Sequence, residues 1–452
     1  MPRRGVAIRL LPVLALLGAA SRESPAGDAF DKRPVEALGV KWFKARPRTK
    51  FEDWDPKVRA ALLEEAKALG RIPEGALEEV RDALWRGVRK SPPGAVPKES
   101  GKPERMTTPY GVATWIQNGR GSKQGLVLGL HGGGEGAGDA GEAAGKWSLP
   151  GCIGIYPQGI KLVHDTWNTV HGERFLLTLL EIAKVQFEVD PDRVYSMGFS
   201  MGGTGSWFLA GRHPDLLAAS CPCAGVLMAA PKSQVPKKED VQSLQHGFVP
   251  NVRNLAMYWF TGLADHNCMP GTYLYAWDLL QDLKAHDPGG YERLSFYTVP
   301  GLAHAFPPGE PGKLLDWAAK QRREPHPKKL VWEVADSPFP LPEDDIDRKV
   351  GRLPKKDFYW LHCDRPADKS VATAKLEGNV VDLDVSLGYA EDFTVWLSPK
   401  LIDPAKDVVV RVAGKEVYRG KPVPDVVTVL ETLDARLDKT LTYDRRVSLA
   451  KP

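Results

Sequence analysis

Gly198-Phe199-Ser200-Met201-Gly202 places a serine between two glycines where the local pattern changes from strand to helix. Arg193-Val194-Tyr195-Ser196-Met197 before it reads as a buried strand, and Gly203-Thr204-Gly205-Ser206-Trp207-Phe208-Leu209-Ala210 after it as a helix opening. A junction this tight holds the serine in a strained turn with Oγ exposed, and the glycines omit Cβ atoms that would strike neighbouring elements. The chemistry on offer is nucleophilic attack, provided that a base, an acid and oxyanion donors accompany the serine. Five residues with three fixed positions are a weak signal alone, so their value depends on those partners.

The partners follow in order. Leu126–Leu130 reads as a strand that runs into His131-Gly132-Gly133-Gly134, where glycines allow backbone N–H groups to turn toward a developing negative charge. Gly133 and Met201 are the candidate oxyanion donors, each of a kind worth about 3 kcal/mol of transition-state stabilisation. Strand Leu255–Thr261 ends in Gly262-Leu263-Ala264-Asp265-His266, which puts Asp265 where an acid can orient an imidazole. Asp278 and Asp282 fall within the next helix, and Asp287 lies in a Pro-Gly-Gly turn, so each has a local explanation. Strand Leu294–Val299 leads to Gly301-Leu302-Ala303-His304-Ala305-Phe306, and His304 is the candidate general base. His266 adjoins the acid and is expected to line the site; His131 is expected to order its loop. His164, His171, His213, His246, His286, His326 and His362 have no such context. Trp167, in the loop Pro157–Glu173, and Phe306 are expected to contact substrate, with plain core packing as the alternative for either.

The elements that must position these residues alternate over 106–325. Strands are expected at Val112–Gln117, Leu126–Leu130, Ile153–Tyr156, Arg193–Phe199, Ala218–Pro222, Leu255–Thr261 and Leu294–Val299. Helices fall between them at Gly141–Trp147, Glu173–Phe187, Thr204–Arg212 and Tyr273–His286, with Pro311–Arg322 closing the series. Repeated β-α-β predicts a mostly parallel sheet with helices on both faces. Residues 28–104 carry two amphipathic stretches, Pro56–Leu69 with Asp55 as N-cap and Glu74–Arg89, and then a Pro-rich linker over Lys90–Arg105. From 328 to 452 strands dominate, interrupted by one helix at Asp425–Leu437, as in a small β-sandwich-like domain.

At 452 residues the chain has room for about three domains of ordinary length. A composition of 42% hydrophobic and 26% charged residues suits a packed core, and a net charge of +4 without a basic block excludes the usual footprint of a nucleic-acid binder. Arg3, Arg4 and Arg9, the apolar run Leu10–Leu17 and Gly18-Ala19-Ala20 form a secretory signal pattern over residues 1–20, with cleavage expected after Ala20 or Ala26 and a secreted or periplasmic product. The run is too short to span a bilayer, and no membrane span is expected. Five cysteines, at 152, 221, 223, 268 and 363, leave at least one unpaired. If a disulfide forms, Cys223 with Cys268 is the pair expected at one end of the sheet; free buried thiols are the alternative. Cys221-x-Cys223 lacks further ligands at zinc spacing, so no metal is expected.

Leu130-His131-Gly132-Gly133-Gly134, Asp190-Pro191-Asp192-Arg193-Val194-Tyr195, Gly198-Phe199-Ser200-Met201-Gly202-Gly203, Gly262-Leu263-Ala264-Asp265 and Gly301-Leu302-Ala303-His304 together resemble exported α/β-hydrolase esterases. The resemblance covers roughly 106–325 and lies with the polyhydroxybutyrate-depolymerase-like and feruloyl-esterase-like groups and the related prolyl-oligopeptidase-type catalytic domains. It implies cofactor-free acyl transfer by Ser200, His304 and Asp265 on small or polymeric esters, including those of plant polysaccharides or polyesters. It sets no oligomeric state. Two departures stand out. Asp265-His266-Asn267-Cys268-Met269-Pro270 is one residue longer before its proline than the family's acid loop, and no N-terminal propeller is recognisable. A serine peptidase of prolyl-oligopeptidase type and an inactive carbohydrate- or surface-binding protein are the competing readings.

Overall fold

The structure, a computed structural model, describes residues 30–49, 52–94, 100–108, 111–119, 124–133, 138–159, 166–227, 249–334, 354–367, 370–386 and 388–450. The signal pattern at 1–20, Gly134, His164 and His246 lie outside the described residues.

Eight strands form the central sheet: β1 (Pro103–Thr108), β2 (Gly111–Asn118), β3 (Gly125–Leu130), β4 (Cys152–Pro157), β5 (Val194–Phe199), β6 (Ala219–Cys223), β7 (Ala256–Gly262) and β8 (Leu294–Val299). Their order is β1-β2-β4-β3-β5-β6-β7-β8. The first two ladders are antiparallel and every pairing from β4 to β8 is parallel. The mixed α/β class expected from the sequence is therefore present. Alternate strand residues diverge to two clusters, as the pleat requires. Leu126, Leu128 and Leu130 enter one, with Met257 and Trp259; Val127 enters the other, with Ala256 and Phe260. Helices α5 (Val170–Gln186), α6 (Met201–Arg212) and α7 (Gly271–His286) supply the first cluster, and α4 (Ala140–Lys146) and α8 (Gly312–Ala318) the second. Apolar strands buried on both sides are what a parallel sheet between helix layers demands.

Two elements were not anticipated. Helix α1 (Arg33–Ala45) precedes α2 (Pro56–Leu69) and α3 (Leu77–Lys90), and β1 begins inside the stretch read as a linker. The proline-rich, charged sequence before β1 masked a strand that sits at the sheet edge, where proline is tolerated at a strand's first residue. Asp55 caps α2 as expected, accepting from the Lys57 and Val58 amides.

Beyond residue 328, strands β9 (Lys329–Glu333), β12 (Val371–Glu377), β13 (Val380–Ser386), β15 (Val408–Val412) and β16 (Lys415–Gly420) build a five-stranded sheet. A four-stranded sheet holds β10 (Asp357–Phe358), β11 (Leu361–Cys363), β14 (Phe393–Leu397) and β17 (Arg445–Ser448). Both contribute to one buried cluster that includes Trp332, Phe358, Leu383 and Val395. Helix α9 (Val426–Arg436) leaves this region: Val426, Val429, Leu430 and Leu433 are buried among Leu38, Trp42, Leu84 and Val88 of the N-terminal helices. The first and last helices thus share a core.

Buried charges tie these parts together. Asp438 accepts from Arg323 at 2.9 and 3.1 Å and from Lys184 at 3.2 Å. Asp215 takes Lys355 at 2.7 Å, with Arg436 at 3.5 Å, and Arg46 bridges Glu181 and Asp434. Although burial opposes ionisation, Arg323 and Lys184 hold the Asp438 carboxyl well below the usual carboxylate range. Removing one member of such a set leaves charges that water cannot reach. Asp438→Asn is expected to cost about 3–5 kcal/mol, read from equilibrium urea unfolding; a loss indistinguishable from zero would contradict this account of the network.

His213 stands beside the same network, with Nε2 2.8 Å from Glu173 and Nδ1 3.3 Å from Lys355. Burial, reinforced by Lys355, lowers its pKa to about 4. The unfolded chain binds a proton there at about pH 6.5, whereas the folded chain stays neutral to much lower pH. Its contribution to stability is therefore expected to diminish as pH falls from about 6.5 toward 4. Thermal melts across that window should show a shallower decline for His213→Gln than for the unsubstituted protein.

Candidate active site

The site is built on the turn from β5 to α6. Ser200 occupies φ 60°, ψ −126°, a left-handed conformation rarely adopted by residues with a side chain. The turn is pinned: the Ser200 amide donates to the Cys223 carbonyl at 3.0 Å, and the Ser200 carbonyl accepts from the Thr204 amide at 3.0 Å. Glycine is required on both sides by close approach. A Cβ on Gly198 would overlap the Gly202 backbone, and one on Gly202 would overlap the carbonyls of Leu130 and His131.

His304, on the loop after β8, has Nε2 2.9 Å from Ser200 Oγ. Its Nδ1 lies 2.7 Å from Oδ2 of Asp265. Asp265 is 1% exposed, and its other oxygen accepts from the amides of Asn267 at 2.9 Å and Cys268 at 2.8 Å. The loop after β7 thus supplies backbone donors that hold the carboxylate still while it faces His304. With Nδ1 donating to Asp265, the imidazole presents Nε2 as an acceptor toward the serine hydroxyl. Ser200, Asp265 and His304, separated in sequence by as many as 104 residues, form one continuous hydrogen-bonded chain.

Met201 is the first residue of α6, so its amide stands at the positive end of the helix dipole. Gly133 adopts φ 80° on the loop after β3, and a Cβ on its neighbour Gly132 would lie 3.2 Å from the Ser200 Cβ. Both sequence-identified donors are therefore on segments that abut the serine. His131 fastens this loop. Its Nε2 accepts from the Gly159 amide at 2.8 Å and its Nδ1 donates to the Gly132 carbonyl at 2.8 Å, an arrangement that only the neutral Nδ1–H tautomer satisfies. Burial lowers its pKa in keeping with that state.

The three expected substrate contacts fare differently. Trp167 is 1% exposed and packs edge-on to His131 at 5.0 Å, with its Nε1 donating to the His131 carbonyl at 3.0 Å. It braces the loop from within the core and has no face open for a substrate to stack on. Phe306 is half-buried and stacks on Phe199 at 4.4 Å; Phe199 in turn lies 4.8 Å from the His304 ring. Phe306 thus supports the imidazole through Phe199. His266 is exposed, next to buried Asp265. Phe199 was missed although it stands within the motif, because the second position of G-x-S-x-G carries no chemical requirement of its own. Lys146 was missed as well: its Nζ lies 4.9 Å from the Phe306 ring, a cation over an aromatic face.

Cys223 is a buried free thiol, so the Cys223–Cys268 pairing is not formed; Cys221 and Cys363 are likewise buried free thiols. Burial pushes the Cys363 pKa up to about 12 and that of Cys223 well above the usual thiol value. Thiols so shielded from ionisation are poor nucleophiles.

No family model and no curated protein sequence matches the chain. Among solved structures it is similar to a thermostable esterase at 18% identity, over 49% of this chain and 63% of that one, with a TM-score of 0.37. Similarity to an acetyl xylan esterase from Aspergillus awamori is 16% over 48% of this chain and 99% of that one, with a TM-score of 0.37. An acylaminoacyl peptidase from Pyrococcus horikoshii matches at 15% identity over 45% of this chain and 37% of that one, with a TM-score of 0.34. The match spans less than two thirds of the thermostable esterase and of the peptidase. Likenesses at this level do not assign an activity.

The turn itself is testable. Gly202→Ala is expected to slow labelling of Ser200 by a fluorophosphonate by about 100-fold, the scale of a displacement near 1 Å in a reacting group. Gly145→Ala, where nothing lies within 4 Å of the added Cβ, serves as the control and should label at the unsubstituted rate.

Proposed function

We propose that this chain is a serine hydrolase of α/β-hydrolase type that cleaves carboxylic esters through an acyl-enzyme. The observation that carries the reading is the hydrogen-bonded chain Ser200–His304–Asp265 at a positive-φ turn on a helix N-terminus. His304 Nε2 takes the hydroxyl proton as Ser200 Oγ attacks the ester carbonyl. The amides of Met201 and Gly133 receive the oxyanion, and the Asp265 carboxylate stabilises the transient imidazolium. His304 then returns the proton to the leaving alcohol, and water releases the acyl group by the same exchange in reverse.

The proposal includes export, on the strength of the basic start, apolar run and small-residue end over residues 1–20. It also takes the two C-terminal sheets, which share one core, as a β-sandwich-like appendage to a catalytic unit spanning about residues 106–325. Esters of plant polysaccharides and polyesters are the substrate classes proposed from the sequence resemblance.

Purified protein is expected to hydrolyse p-nitrophenyl acetate and methyl ferulate and to leave a prolyl-amide chromogen intact. Ser200→Ala should abolish turnover, and Asp265→Asn should lower kcat by about 10⁴-fold by favouring the wrong imidazole tautomer. Ester hydrolysis that survives Ser200→Ala would overturn the mechanism, and amide turnover exceeding ester turnover would replace it with the peptidase reading.

A further inference from the structure

A second feature of the chain is independent of Ser200. A cavity of about 250 Å³ is lined by α5, the end of α6, the stretch Pro354–Asp357 and the end of α9. Three parts of the chain that are distant in sequence therefore meet around it. Its lining holds six cationic side chains and three carboxylates, Glu173, Glu181 and Asp357. The carboxylates are already engaged: Glu173 by Arg212 and His213, Glu181 by Arg46, and Asp357 by His362. Two of the cations, Lys184 and Lys355, are neutralised by Asp438 and Asp215.

What is left is positive. Arg174 and Lys356 form no ion pair or hydrogen bond through their side chains among the described residues, and the buried Nε of Arg174 lacks an acceptor. Arg436, 6% exposed, lies 3.5 Å from Asp215, which it shares with Lys355, and donates from Nη1 to the Tyr359 carbonyl at 2.9 Å and from Nη2 to the Leu441 carbonyl at 3.3 Å. Its Nε is buried and also has no acceptor. Two unpaired cations together with two unsatisfied guanidinium N–H donors around one small cavity call for acceptor oxygens carrying negative charge. We infer that this cavity binds a small inorganic oxyanion of the phosphate or sulfate type, held by Arg174, Lys356 and Arg436. Burial, reinforced by Lys355, lowers the pKa of His213 on the cavity wall, so this imidazole stays neutral there. An anion seated here would link α5 and α6 to α9 and to the Pro354–Asp357 stretch, so its binding should register as stability of the whole chain.

The test is thermal melting of the full chain in inorganic phosphate against sodium chloride of matched ionic strength. The unsubstituted protein is expected to show a saturable rise in Tm of roughly 2–4 °C by about 20 mM phosphate. In the Arg174→Gln/Lys356→Gln double variant the rise should drop to less than about a third. Among the described residues neither replaced side chain has a hydrogen bond or ion pair to lose, and Lys356→Gln alone, at an exposed position, is the reserve should the double variant not fold; its phosphate affinity by titration calorimetry should be at least about threefold weaker. An equal rise in chloride, or in the variants, would mean an adventitious ion only and overturn the proposal, as would the absence of any rise.

Discussion

Ser200 sits at φ 60° on a turn with no slack, and much of the surrounding structure follows from keeping it there. A residue with a side chain adopts that conformation at a cost of order 1–3 kcal/mol, and holds it only when its surroundings leave no alternative. Here the surroundings are backbone. Gly198 and Gly202 meet across the turn, Gly202 lies against the Leu130 and His131 carbonyls, and the Ser200 amide is tied to Cys223 on the next strand. The adjoining strands β3, β5 and β6 thus locate Ser200, and the loop that follows β3 is placed by the same contacts that hold the turn. The Gly132–Gly133 loop and Ser200 are set by one packing solution, in which a shift of either disturbs the other.

A second level of order is electrostatic. Asp438 and Asp215 sit within the protein with their charges met by Arg323, Lys184, Lys355 and Arg436, residues drawn from both sides of position 328. Such sets contribute little net stability relative to apolar packing, but they punish misalignment heavily, because any displaced member becomes a buried unpaired charge. The association of the C-terminal strands with the α/β core therefore has a specific register, beyond what apolar contact alone would impose.

The site was more legible than the fold around it. Ser200, Asp265 and His304 stood out because each chemical role demands a particular residue type at the end of a strand, and the strands were strongly apolar. Gly133 and Met201 followed from the same logic. For Trp167 the sequence left substrate contact and core packing open, because a tryptophan on a loop between elements gives no sign of whether it faces inward; the folded chain shows the packing, with its bond to the His131 carbonyl. Strand β1 was hidden by the prolines and charges that precede it, and α1 by its position before the first clear cap. The buried ion pairs were unreadable in principle, since their members lie as far apart as Arg46 and Asp434 and look like ordinary surface charges.

The shared core of the first and last helices bears on how the chain comes to be folded. Leu38, Trp42, Leu84 and Val88 lie against Val426, Val429, Leu430 and Leu433, and the backbone at Arg71 bridges to Asp425. A chain made or threaded from its N-terminus brings out α1 to α3 first, and these pack on one another, but the part of their apolar surface that α9 covers waits until about 340 further residues have arrived. For most of that interval a Trp- and Leu-rich surface waits for its partner, open to chaperones and to neighbouring chains alike. A chain truncated before α9 would keep Ser200 and its neighbours in sequence while leaving that surface bare.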